Sequence, residues 1–317
     1  MQARTDRGAT YGRRVRILSI DGGGIRGLVP ALVLAELEAR TGRPVAELFD
    51  LVAGTSTGGI LACALCRPDP LPARELVGLY RTEGPVIFRR SLGRRITSVE
   101  GLVDERHSAG PLEEVLARYL GTTRMSEATT RLLVPAYDLE AREPRFFKSW
   151  RADLDAPMAA VARATSAAPT YFEPAHLDGR WLIDGGLVAN SPAMCAYAEA
   201  ARLALDAELG PVRVVSLGTG RQTRAIPGPR ATGWGLIGWA RPVIDVVFDG
   251  VTDAVDYQLR ELLGPDAYDR FEVDLDRASD ALDDAGERNL ALLAEQAAGL
   301  IATRSEDLDR VVAGLLA

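Results

Sequence analysis

The chain has 317 residues, 47% hydrophobic and 26% charged, a balance that fits a soluble globular protein with a sizeable core. Its net charge of −7 argues against a general DNA or RNA binder, which needs a basic face. Residues 1–14 are polar and arginine-rich with no apolar segment, so they read as a flexible N-terminal tail and not as a secretory leader.

Val15 to Ile20 reads as a buried strand, ending at the glycine-rich DGGGIRG of residues 21–27. Pro30 to Arg40 follows as a helix, closed by Gly42 and Pro44. A short strand from Leu48 to Ala53 leads into GTSTG at 54–58 and a helix from about 57 to 66. Cys63 and Cys66 fall in that helix, where an i, i+3 pair shares one face. With Cys195 as the only other cysteine, they read as small buried hydrophobes; a disulfide framework or a zinc site is not expected.

Helices are expected at about 73–83 and 111–120, and strands at about 131–138 and 144–149. A helix at about 157–167 precedes Pro169, and Trp181–Ile183 is a short strand running into Asp184-Gly185-Gly186. Beyond it come a helix at about 192–208, the strand VRVVSLG at 212–218 and a helix at about 242–262. The segment FEVDL, from 271, reads as a strand and the last 30 residues as helical. Apolar strands alternating with helices predict an α/β fold, its mainly parallel sheet covered by helices on both faces. No linker interrupts the pattern, so residues 15–317 are expected to form one domain, with a motif-bearing core at 15–220 and a mostly helical part at 221–317.

Three segments carry chemistry. Gly54-Thr55-Ser56-Thr57-Gly58 has the form in which a strand-to-helix turn presents a serine nucleophile, with Gly54 and Gly58 permitting a tight turn. A serine hydroxyl needs a base to take its proton. The chain has two histidines, His107 and His176, and neither follows the acid Asp184, as the histidine of an α/β-hydrolase triad would. If Ser56 is catalytic, its base is therefore not expected to be histidine. A triad using His176 would need an acid such as Asp138 or Asp155, and nothing marks either.

In DGGGIRG, the amides of Gly22, Gly23 and Gly24 can approach a developing negative charge closely. Gly22-x-Gly24-x-x-Gly27 also matches a dinucleotide fingerprint, but no acid ends the next strand as that reading requires. Asp184, followed by Gly185 and Gly186, is an acid turn; by itself it reads equally as an ordinary Asp-Gly-Gly bend.

Together these segments resemble the patatin-like phospholipases, serine lipid acyl hydrolases with a Ser-Asp dyad. The resemblance is carried by DGGGIRG at 21–27, GTSTGG at 54–59, SAAPTYFEP at 166–174, DGG at 184–186 and ANSP at 189–192. It implies a three-layer patatin-like fold, Ser56 as nucleophile and Asp184 as general base. It also implies an oxyanion hole from Gly22–Gly24 with Arg26 at the loop's basic position, and no cofactor or metal. The family's third motif often ends in alanine where this chain has Gly186. VPAYD and FFKSW further resemble bacterial anti-phage phospholipases switched on by cyclic nucleotides.

Partners expected on this basis are a phospholipid or other acyl ester, transient contact with the inner membrane surface from the cytoplasm, a cyclic-nucleotide activator, and a second copy of the chain. Arg89 to Arg95, with four arginines in seven residues, suits an anionic ligand or simply a solvated loop. Trp234 and Trp239 frame an uncharged segment that suits either a lipid interface or core packing. Asp245, Asp249, Asp253 and Asp256 are expected to form a solvated stripe opposite Ile244, Val247, Val251 and Val255. The competing reading of the whole chain is a non-catalytic lipid- or nucleotide-binding module on the same fold.

Overall fold

The computed structural model describes residues 14–89, 106–206, 210–239 and 242–317. The expected tail, apart from Arg14, and the arginine segment beyond Arg89 lie outside the described residues.

The strands are β1 (Val15–Ile20), β2 (Leu51–Gly54), β3 (Arg131–Asp138), β4 (Glu143–Lys148), β5 (Ala175–Leu177), β6 (Arg180–Asp184), β7 (Val212–Leu217), β8 (Arg221–Gln222), β9 (Tyr268–Phe271) and β10 (Asp274–Leu275). Eight of them form one sheet in the order β5-β6-β3-β2-β1-β7-β9, with β4 also paired to β3. The run β3-β2-β1-β7-β9 is parallel throughout. β10 and β8 make a separate small pair.

Side-chain alternation splits the sheet between two cores, as a parallel sheet covered on both faces demands. Leu18, Ile20, Val52, Leu132, Val134, Val215 and Leu217 point to one face, under the helices Leu28–Thr41, Thr57–Cys66, Met158–Thr165 and Glu287–Thr303. Val15, Ile17, Leu51, Ala53, Leu133, Val212 and Val214 point to the other, against Ala193, Ala196 and Ala200 of the helix Ala193–Asp206 and Leu259 of the helix Pro242–Leu263. This is the expected α/β layering. Cys63 and Cys66 are buried free thiols.

Two expectations change. The strand anticipated at FEVDL lies earlier, at Tyr268–Phe271, and Asp274–Leu275 pairs instead with Arg221–Gln222. YDRF, at the edge of the sheet, looks too charged for a strand buried along its whole length. Asp269 accepts from Arg213 at 2.8 Å and Arg270 pairs with Asp21 at 2.6 Å, so both charges are compensated where they are buried.

The acidic stripe of Pro242–Leu263 is only partly solvated: Asp253 is exposed, while Asp245, Asp249 and Asp256 are half-buried. Asp249, Asp253 and Asp256 line a polar pocket with Arg26, Arg260 and Arg270. The more exposed side chains of that helix include Val243, Val246 and Tyr257. No described helix is long and apolar enough to cross a membrane.

Candidate active site

The site is built where β2 ends. Gly54 closes that strand, and a Cβ on it would lie 2.1 Å from the Gly58 carbonyl oxygen; one on Gly58 would lie 2.2 Å from that of Ile20. Only glycine lets strand, turn and helix pack this closely. Between them Ser56 takes φ 53° and ψ −122°, a backbone conformation that costs a non-glycine residue on the order of 1–3 kcal/mol. The strain is held in place by three bonds. The Ser56 amide donates to Thr165 Oγ1 at 2.9 Å, the Thr55 amide to the Ile20 carbonyl at 3.1 Å, and the Thr55 hydroxyl to the Ala189 carbonyl at 2.6 Å.

Asp184 arrives from a direction that strand order alone does not indicate. β3 has two edges, and β4 occupies one of them from Leu133 to Asp138. The other edge is shared. β2 takes Arg131–Leu133 in parallel, and β6 takes Ala136–Asp138 antiparallel, with Asp184 opposite Ala136. β6 therefore runs head-on toward β2, and its last residue meets the turn that follows β2.

Ser56 Oγ donates to Asp184 Oδ2 at 2.7 Å, and the Gly186 amide donates to Asp184 Oδ1 at 2.7 Å. Ser56 is 7% exposed and Asp184 fully buried. Burial pushes the Asp184 carboxyl up to about 7, against the bonds from Ser56 and Gly186, which pull it down. A carboxylate that ionises near neutrality beside a serine hydroxyl has the geometry and basicity that general-base activation requires.

The three loop glycines divide in use. The Gly22 amide donates to the Asn190 carbonyl at 3.0 Å, so it is not free to serve an oxyanion, contrary to expectation. Gly23 and Gly24 line the Ser56 pocket, and their amides have no partner among the described residues. Gly24 takes φ +57°, a conformation that favours glycine.

Arg26 also departs from expectation. It is buried, its Nε donates to the Gly23 carbonyl at 3.3 Å and its Nη1 to that of Gly220 at 3.4 Å. It lines the polar pocket rather than the Ser56 pocket, so it braces the glycine loop from behind. Gly27 packs on Tyr80 and Thr57, and Gly185 on Pro135 of β3.

The Ser56 pocket is otherwise apolar. Ile60, Leu79, Ile87, Phe88, Leu112, Phe172, Phe248 and Leu282 line it, a surface suited to a hydrocarbon chain. Neither histidine reaches it. His107 is buried and bonds Asp283 Oδ2 at 2.9 Å; His176 packs at a tilt against the exposed Trp181, 4.7 Å between ring centroids. Asp138 pairs with Arg180 and Asp155 with Arg124. Trp234 and Trp239 stack edge-to-face, 5.1 Å apart. Thr165, Asn190 and Phe248 escaped the sequence reading. Thr165 and Asn190 adjoin or lie within quoted motifs, while nothing local marks Phe248.

Residues 18–197 match the family model described as patatin-like phospholipase. The chain belongs to the patatin-like phospholipase family. It is 34% identical over 338 residues to "Patatin-like protein 2" of Arabidopsis thaliana, covering 90% of this chain and 82% of that one. It is 38% identical over 255 residues to a "cGAMP-activated phospholipase" of Pseudomonas aeruginosa, covering 78% of this chain and 75% of that one. Among solved structures, the type III effector protein ExoU shows a loose likeness, with TM-score 0.42 and 12% identity over 97% of this chain and 54% of that one. As a patatin-like phospholipase, the protein is a lipid ester hydrolase.

Proposed function

We propose that this patatin-like phospholipase cleaves fatty-acyl esters of membrane phospholipids, a phospholipase A-type reaction, through Ser56 and Asp184. The observation that carries the reading is the 2.7 Å hydrogen bond from Ser56 Oγ to a fully buried Asp184, at the head of an apolar pocket. Asp184 accepts the hydroxyl proton as Ser56 Oγ attacks the acyl carbonyl carbon. The amides of Gly23 and Gly24 stabilise the oxyanion. As the tetrahedral intermediate collapses, Asp184 returns the proton to the departing lysophospholipid oxygen. A water then gives its proton to Asp184 and attacks the acyl-serine ester; as that intermediate collapses, Asp184 returns the proton to Ser56 Oγ, releasing the fatty acid and restoring the hydroxyl.

The similarity to a relative named a cGAMP-activated phospholipase supports regulation of the same chemistry by a cyclic nucleotide, as in an anti-phage effector acting from the cytoplasm on the inner membrane.

Hydrolysis of mixed phospholipid vesicles, with and without cGAMP, tests both statements. Ser56→Ala is expected to abolish fatty-acid release and labelling by a fluorophosphonate, with an unchanged circular dichroism spectrum. Retained hydrolysis in that variant would remove the serine mechanism. A wild-type Ser56 that resists the probe in both conditions would favour a binding module. Activity that is full without the nucleotide would remove the activator.

A further inference from the structure

The third motif ends in Gly186 where the family often has alanine, and the structure gives a reason. A Cβ at Gly186 would lie 2.9 Å from Phe248 Cζ, 3.0 Å from Asp184 Oδ1 and 3.0 Å from Asn190 Oδ1. All three are tighter than ordinary van der Waals contact, so a methyl there and the Phe248 ring compete for one space. Phe248 comes from the helix Pro242–Leu263, outside every motif. It is 4% exposed and lines the same pocket as Ser56 and Asp184. One turn before it, Ile244 is buried; one turn after it, the Thr252 hydroxyl accepts from Asn190 Nδ2 at 2.9 Å. The helix is thus anchored one turn to either side of Phe248.

We propose that Phe248 is a positioning residue of the ester hydrolysis: seated on Gly186, its ring keeps bulk water off the Ser56–Asp184 pair. The proposal rests on the dyad reading above. Its consequence is electrostatic. A carboxyl walled by hydrocarbon ionises late and is then a stronger base than an exposed aspartate.

The charged groups on the surrounding elements are engaged elsewhere. Asp21 pairs with Arg270, and Arg26 binds carbonyls behind the glycine loop. Arg163 bonds Glu113, and Asp138 bonds Arg180. On the helix of Phe248 itself, Asp249 and Asp245 lie on the side of Arg26. None of these contributes to the shift of Asp184, which burial alone raises.

The test is the pH dependence of kcat/KM on phospholipid vesicles for the intact protein, with any nucleotide activator it needs. Phe248→Ala is expected to move the acid limb down by about one pH unit or more, with a lower plateau in kcat from the weaker base. Phe248→Leu should hold the limb near its original place. Gly186→Ala alone should lose about tenfold or more in kcat as the methyl displaces the ring, and Gly186→Ala combined with Phe248→Leu should recover part of that loss. A Phe248→Ala limb that coincides with the wild type overturns the proposal. So does a Gly186→Ala enzyme of full activity, or a double variant no better than the single one. Should Phe248→Ala fail to fold, the Gly186→Ala pair decides by itself. Failure of the dyad is separable, because Ser56→Ala would then stay active.

Discussion

Replacing Asp184 by asparagine separates what this residue contributes to chemistry from what it costs the fold. The side chain keeps its size, and its carbonyl oxygen can still accept the hydrogen bond from the Gly186 amide, but it no longer takes a proton. Burial pushes the carboxyl up from its ordinary value to about 7, worth about 4 kcal/mol. Below pH 3.8 the acid is neutral in the folded and unfolded chain alike, and the substitution should be near neutral for stability. As pH rises toward 7, the unfolded chain has already released its proton while the folded one still holds it. Wild-type stability therefore falls through this window and levels off above it.

Asp184→Asn should thus be more stable than wild type at pH 8, by up to about 4 kcal/mol, with the gap closing toward pH 4. Urea titrations at the two pH values measure this. Over the same range wild-type kcat/KM should drop about tenfold per unit below pH 7, and the variant should lose about 10²–10⁴ in rate at pH 8, with its gap to wild type narrowing as the pH falls. Equal stabilities at pH 8, or a wild-type rate that stays flat down to pH 5, would refute the buried-base argument.

Gly23→Ala would place a Cβ 2.2 Å from Thr219 Oγ1. We expect it to push the glycine loop off its position and reduce kcat by about 10²–10³, with a smaller change in KM, read from steady-state kinetics. Arg270→Met leaves Asp21 buried without its partner at 2.6 Å, and should cost about 3–5 kcal/mol in chemical denaturation. Burial already holds Asp21 up at about 6, with Arg270 pulling it down. The loss should therefore shrink as the pH is lowered through that range and the carboxyl neutralises.

Much of this architecture is legible in the chain as written. Alternating apolar strands and helices set the layering, because a strand buried on both faces must be apolar throughout. The turn Gly54–Gly58 is marked locally by two glycines, a serine and a strand before it, while bonds to Thr165, Ile20 and Ala189 hold its strain. The placing of both histidines before Asp184 argues against a histidine base, and the motif resemblance names Asp184 as the partner of Ser56.

Only the tertiary structure decided how that partner arrives. Asp184 reaches Ser56 because β6 runs antiparallel on the edge of β3 that β2 leaves vacant, and edge sharing is a property of three strands at once. The same holds for Gly22, whose amide is taken by Asn190, and for Arg26, which turns to the polar pocket. It holds also for β9, whose charges are tolerable only because Asp21 and Arg213 lie beside them. Phe248 belongs here as well. A phenylalanine on an amphipathic helix carries no local sign that it stands over the Ser56 turn. Turn chemistry acts within a few residues and can be read along the chain; burial, edge pairing and charge compensation depend on which distant segments meet.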